Sequence, residues 1–81
     1  MGKTLLYVGG LSQTATDQQL LELFTPYGTV ERAYVITYKL TGKSAGYGFV
    51  EMDSGENALK AVVALEGTEV DGQKLRTYVT P

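Results

Sequence analysis

Residues 30–52 read VERAYVITYKLTGKSAGYGFVEM, two runs dense in β-branched and aromatic side chains with a polar stretch between them. Val30 to Tyr38 and Tyr47 to Met52 have the composition of strands, and Lys39 to Ala45 carries the turn signal Thr41-Gly42. The pair predicts two antiparallel strands joined by an exposed loop. The rest of the chain can be placed by working outward from this hairpin.

On both flanks the apolar residues fall at helical spacing. Before the hairpin, Thr16 is followed by Asp17 and then Gln19 in a capping-box pattern, and Leu20, Leu21, Leu23, Phe24 and Tyr27 recur on one face until Pro26 and Gly28. This predicts a helix over about 17–25. After the hairpin, Asp53 with Glu56 repeats the capping pattern, Ala58, Ala61, Val62 and Leu65 lie at i, i+3, i+4 and i+7, and Gly67 supplies a stop. At the ends, Thr4 to Val8 (TLLYV) closed by Gly9-Gly10 reads as a partly buried strand. Lys74 to Val79 (KLRTYV), after the turn Val70-Asp71-Gly72, alternates polar and apolar side chains as a strand. The predicted order is β-α-β-β-α-β, with residues 1–81 taken as one domain. This is an α+β, ferredoxin-like plan: a four-stranded antiparallel sheet with two helices on one face and the other face open.

Composition narrows the function. The 81 residues are 43 % apolar and 20 % charged, which is globular composition, and a chain this short buries one core with no room for an enclosed active site. There is no cysteine and no histidine, which removes disulfides, thiol nucleophiles, imidazole bases and the usual transition-metal ligands. No catalytic residue, metal or cofactor is expected. No apolar run approaches the ~20 residues needed to span a bilayer, and Met1-Gly2-Lys3 does not open a signal segment. The expected setting is therefore intracellular, cytoplasmic or nuclear, and away from membranes.

Alternate residues of a strand share a face. Leu6, Val8, Val35, Gly48, Val50, Met52, Leu75 and Val79 make an aliphatic set suited to the core. Leu5, Tyr7, Tyr34, Ile36, Tyr38, Tyr47, Phe49, Arg76 and Tyr78 fall on the opposite side, so six of the eight aromatic residues are predicted to point away from the helices. A contiguous patch of large rings is seldom left to water, and Tyr offers a flat stacking surface with one polar handle. For one ring alone, sheet propensity is an adequate account; for Tyr7, Tyr47 and Phe49 together it is not.

Seven Lys and Arg against nine Asp and Glu give a net charge of −2, which taken whole argues against a polyanionic partner. The distribution argues otherwise. Lys3, Arg32, Lys39, Lys43, Lys74 and Arg76 lie in strands, at their ends or in the hairpin loop, with only Lys60 on a helix. Most acids fall on helices, caps and turns. Lys39, Lys43 and Arg76 are the candidates for phosphate or base contact, and Arg32 and Lys74 are weaker ones.

The segment Ala45-Gly46-Tyr47-Gly48-Phe49-Val50-Glu51-Met52 resembles the ribonucleoprotein octapeptide K/R-G-F/Y-G/A-F-V-x-F/Y, matching at positions two to six. Leu6-Tyr7-Val8-Gly9-Gly10-Leu11 is similar to the shorter signature that RNA recognition motif domains carry on their first strand. The resemblance covers the whole chain. It implies that Tyr7 and Tyr47 stack on two successive bases of single-stranded RNA and that Phe49 packs against a base or between two sugars. Tyr34, Tyr78, Lys39, Lys43 and Arg76 complete the expected RNA-binding surface. Two positions depart from the octapeptide. Met52 replaces an aromatic at position eight, where parity puts it in the core and Met is an adaptable filler. Ala45 replaces the usual Lys or Arg at position one, which removes a phosphate contact, and Glu51 on the same face adds repulsion.

Other motifs fail. Gly42-Lys43-Ser44 ends like a phosphate-binding loop, but that motif needs a glycine where Thr37 stands. The metal carriers built on this plan need Cys pairs, and the small acyl phosphatases need an arginine-bearing anion loop that Gly9 to Gln13 does not supply. A monomeric RNA-binding module is the leading expectation. The alternative is a protein-interaction module on the same fold, in which Tyr34, Ile36, Tyr38 and Tyr78 seat a peptide and RNA binds weakly or not at all.

Overall fold

The computed structural model describes residues 2–81. Its elements are β1 (Thr4–Gly9), α1 (Asp17–Phe24) with a following 3-10 turn (Thr25–Tyr27), β2 (Val30–Thr37), β3 (Ser44–Met52), α2 (Gly55–Leu65), β4 (Glu69–Val70), β5 (Gln73–Lys74) and β6 (Arg76–Val79). Four strands form an antiparallel sheet in the order β2-β3-β1-β6, and β4 and β5 make a separate two-stranded ribbon. The ferredoxin-like plan expected from the sequence is the one observed.

Local chemistry sets the helix starts. Thr16 caps α1 with both halves of a capping box: its side chain accepts from the Gln19 N–H at 3.1 Å, and the Gln19 side chain accepts from the Thr16 N–H at 3.0 Å. The start of α2 differs from the sequence reading. Ser54 is the cap, accepting from the Asn57 N–H at 3.2 Å, while the Asp53 carboxylate is occupied by the Asn57 side-chain amide at 3.1 Å. A hydroxyl at the capping position reaches the third helical N–H, so Asp53 becomes an outer brace.

The core lies between one sheet face and both helices. Leu6 and Val8 of β1, Val50 and Met52 of β3, Leu20 and Phe24 of α1, Ala58, Ala61 and Leu65 of α2, and Leu75 are all buried. Phe24 is fully enclosed, and removing such a ring typically costs about 3–5 kcal/mol. Gly48 sits on this inner face, where a Cβ would meet the Tyr34 carbonyl oxygen and come within 3.2 Å of Leu20. Its missing side chain makes room for the β2 backbone beside β3 and for Leu20 of α1 above it. Met52 is buried, as its parity requires.

The C-terminal strand departs from expectation. The run from Lys74 to Val79 is divided: Lys74 ends the ribbon, Leu75 turns into the core, and β6 begins at Arg76. Asp71 (φ 52°) and Gly72 (φ 81°) are both left-handed, the geometry of a tight hairpin turn whose twist suits a two-residue loop. Thr77 is the buried residue of β6 and Val79 is exposed, because α2 does not cover the last residues of this edge strand. β2 likewise ends at Thr37, leaving Tyr38 in the loop.

An acidic residue at a helix end bonds to each edge strand of the sheet. Asp17, the first residue of α1, accepts from the Val35 N–H of edge strand β2 at 2.8 Å. Glu66, the C-cap of α2, accepts from the N–H of Thr77 in edge strand β6. Free strand edges invite pairing with other chains, and each of these carboxylates occupies one backbone donor of its edge strand. Among the described residues, no helix is long and apolar enough to cross a membrane.

Candidate nucleic-acid interface

The open sheet face is organised in rows across the strands. Tyr34 of β2 lies opposite Phe49 of β3, Phe49 opposite Tyr7 of β1, and Tyr7 opposite Tyr78 of β6, so each strand contributes one ring to a single row. Ring centroids are 5.9 Å apart for Tyr34 and Phe49, 6.1 Å for Phe49 and Tyr7, and 4.7 Å for Tyr7 and Tyr78. In the next row, Tyr47 lies opposite Gly9 and Gly9 opposite Arg76. The Tyr47 ring is stacked on Tyr7 at 5.7 Å and edge-on to Phe49 at 6.0 Å.

Edge-on and stacked contacts at these distances are the favoured aromatic geometries, and they hold the rings in place before any ligand arrives. On the other side of the aromatic row, Arg32, Glu51 and Leu5 form a third. The Arg32 guanidinium carbon sits 4.9 Å from the centroid of the Tyr34 ring, a cation–π contact that keeps a positive charge beside the platform.

Five of the predicted site residues, Tyr7, Tyr34, Tyr47, Phe49 and Tyr78, are therefore brought together. Arg76 is not over the rings: its Nε lies 3.5 Å from Glu66 Oε2, drawn around the β6 edge toward the helix side. Tyr38 is exposed beyond the end of β2 and makes none of the ring contacts. Lys39 and Lys43 stand exposed on the β2–β3 loop, which is closed by the Tyr38 N–H on the Lys43 carbonyl and the Gly42 N–H on the Tyr38 carbonyl, both at 2.8 Å. Arg32 earned less weight in the sequence than its position deserves; its i, i+2 spacing from Tyr34 on the same strand face was the available signal.

The face is flat. A concavity of about 400 Å³ lies elsewhere, between α1 and the β4–β5 ribbon, lined by Leu11, Leu20, Leu23 and Val70 among others. Among the described residues, no group of three or more acidic side chains is placed to hold a metal ion. The chemistry on offer is stacking on preset rings with cations at the margin.

The profile of the RNA recognition motif matches residues 6–76. The chain belongs to the RNA recognition motif family. It is 45 % identical over 73 residues to the mouse RNA-binding motif, single-stranded-interacting protein 2, covering 90 % of this chain and 19 % of that protein. The chain thus spans about a fifth of the length of that relative. Among solved structures, the crystal structure of RNA binding protein PG1 superposes with a TM-score of 0.92 at 38 % identity, covering 95 % of this chain and 93 % of the other. The Sex-lethal protein–RNA complex superposes with a TM-score of 0.88 at 35 % identity, covering 95 % of this chain and 47 % of that one. The two signatures of this RNA recognition motif, on β1 and β3, are the two central strands of the sheet.

Proposed function

We propose that this domain, residues 1–81, binds single-stranded RNA as a monomer on its open sheet face, inside the cell. The observation that carries the reading is the unbroken row of four rings, one from each strand, with Tyr47 stacked beside it. Tyr7 and Tyr47 stack on successive bases, Phe49 packs against a base or sugars, and Tyr34 and Tyr78 lengthen the platform at its two ends. Arg32, Lys39 and Lys43 supply positive charge at the β2 side, so the phosphates run along that margin. Each base–aromatic stack is worth ~1–3 kcal/mol, so three supply ~3–9 kcal/mol, a large share of the ~8 kcal/mol of a micromolar complex, and the marginal cations add to it. Such stacking tolerates many sequences.

An amide-NMR titration of labelled protein with random short single-stranded RNA at low salt tests this. Shifts should concentrate on β1 and β3 around Tyr7, Tyr47 and Phe49 and vanish in the Tyr7→Ala/Phe49→Ala double variant. Absence of shifts at millimolar RNA would overturn the reading and leave the peptide-binding alternative.

A further inference from the structure

We infer that Phe49 takes a base, the first of the two alternatives above, and that the carboxylate of Glu51 reads the edge of that base and selects guanine over uracil. The inference rests on the RNA-binding reading above and adds a sequence preference to it.

Glu51 lies two residues beyond Phe49 on β3 and on the same face, with Arg32 directly opposite on β2 and Leu5 directly opposite on β1. Arg32 makes no ion pair with it within 4.0 Å, its guanidinium lying over the Tyr34 ring. Among the described residues the ion pair formed is Arg76 with Glu66, and no side-chain hydrogen bond involves Glu51. Glu51, a half-buried residue at the rim of the stacking platform, is thus left with its carboxylate acceptor positions open.

Such a group is repelled by phosphate, so its favourable partner in a nucleotide is a donor on the base. Guanine presents N1–H and N2–H side by side, matching the two oxygens of a carboxylate in a bidentate, charge-assisted pair. Cytosine and adenine offer one amino group each. Uracil sets carbonyl oxygens on both sides of its single N–H, and both face the negative charge. Residues i and i+2 stand about 6.8 Å apart along a strand. That is the reach needed from a ring beneath a base to a group bonded to the base's edge. A site that offers a polar group discriminates strongly against a base that leaves it unpaired.

Anisotropy titrations at one salt concentration with three octamers decide the matter: all-uridine, the same with one central guanosine, and the same with inosine, which lacks the N2 amino group. For the unaltered protein, the guanosine octamer should bind about tenfold more tightly than all-uridine, within the discrimination a bidentate base contact gives, with inosine between them. In Glu51→Ala the three affinities should come within about twofold of one another, and all-uridine should bind more tightly than to the unaltered protein because the repelling charge is gone. Glu51→Gln, which keeps the shape, should also shrink the preference. Equal binding of the octamers to the unaltered protein, or a preference that survives in Glu51→Ala, overturns the role of Glu51 alone. Failure of all three octamers to bind overturns the RNA-binding reading as well. Glu51 is a surface residue, and unchanged thermal unfolding of the variants confirms that the comparison is made on folded protein.

Discussion

The phenol ring of Tyr7 lies along β1 across Gly9: a Cβ at Gly9 would stand 2.5 Å from the Tyr7 hydroxyl oxygen and 2.8 Å from a ring carbon. Gly9 is buried although it faces the open side of the sheet, because the ring of Tyr7 covers it. Its neighbours in the row are Tyr47 and Arg76, so the absent side chain makes a dent that the ring fills. The same ring is then stacked between Tyr47 and Tyr78, at 25° and 19° to their planes. Gly9 is in this way a positioning residue for the central ring of the platform.

Gly9→Ala should therefore weaken RNA binding without unfolding the protein. The φ of Gly9 is not in the left-handed region, so alanine meets no backbone strain, and the clash falls on the movable end of a surface side chain. Tilting one stacking ring should cost about threefold to tenfold in affinity, a fraction of a full stack. A double-mutant cycle measures the coupling: in a Tyr7→Ala background, Gly9→Ala should have almost no further effect on binding.

The two outlying tyrosines should behave differently from each other. Tyr78 is 4.7 Å from Tyr7 and belongs to the row, so Tyr78→Ala should lower RNA affinity by about 1 kcal/mol or more. Tyr38, 60 % exposed and outside the ring contacts, should lose less than a third of that when truncated. Side-by-side titrations of the two variants check it, and equal losses would mean that the β2–β3 loop folds over the platform on binding.

Much of this was legible in the chain because strand parity and helix period are local. Parity alone put Tyr7, Tyr34, Tyr47, Phe49 and Tyr78 on one face and Leu6, Val8, Val50 and Met52 on the other. Three features depended on distance in space. The row of rings needs the strand register, which no single strand encodes. The turn of Arg76 toward Glu66 needs the end of α2 to lie beside the β6 edge. The burial of Thr77 and exposure of Val79 follow from where α2 stops covering the sheet, and alternation within KLRTYV treats both positions alike.

Glu66 should matter more through its hydrogen bonds than through its ion pair. Its carboxylate accepts from the Thr77 N–H and lies 3.3 Å from the Thr77 hydroxyl, and Thr77 is buried. Glu66→Ala strands a backbone donor and should cost about 1–3 kcal/mol in denaturant unfolding. Arg76→Ala removes only an exposed pair and should cost less than about 1 kcal/mol. Glu66→Gln, which keeps an acceptor, should fall between them.

Restoring a cation at Ala45 should strengthen binding in a way that salt reveals. Ala45 is half-buried at the loop end of β3, where Gly46 is left-handed (φ 85°) and the register with β2 shifts, and it is next to the segment bearing Lys39 and Lys43. A lysine there extends its stem along the sheet and carries its charge to the margin, adding one phosphate contact to a surface that has few. Ala45→Lys should raise affinity for single-stranded RNA about threefold or more at low salt and steepen the dependence of log K on log salt by about 0.7, the increment for one contact to a single strand. The two readouts separate causes. Tighter binding with an unchanged slope would place the lysine on a base or a ring, whereas a steeper slope ties it to phosphate and locates the backbone track at the loop end of β3.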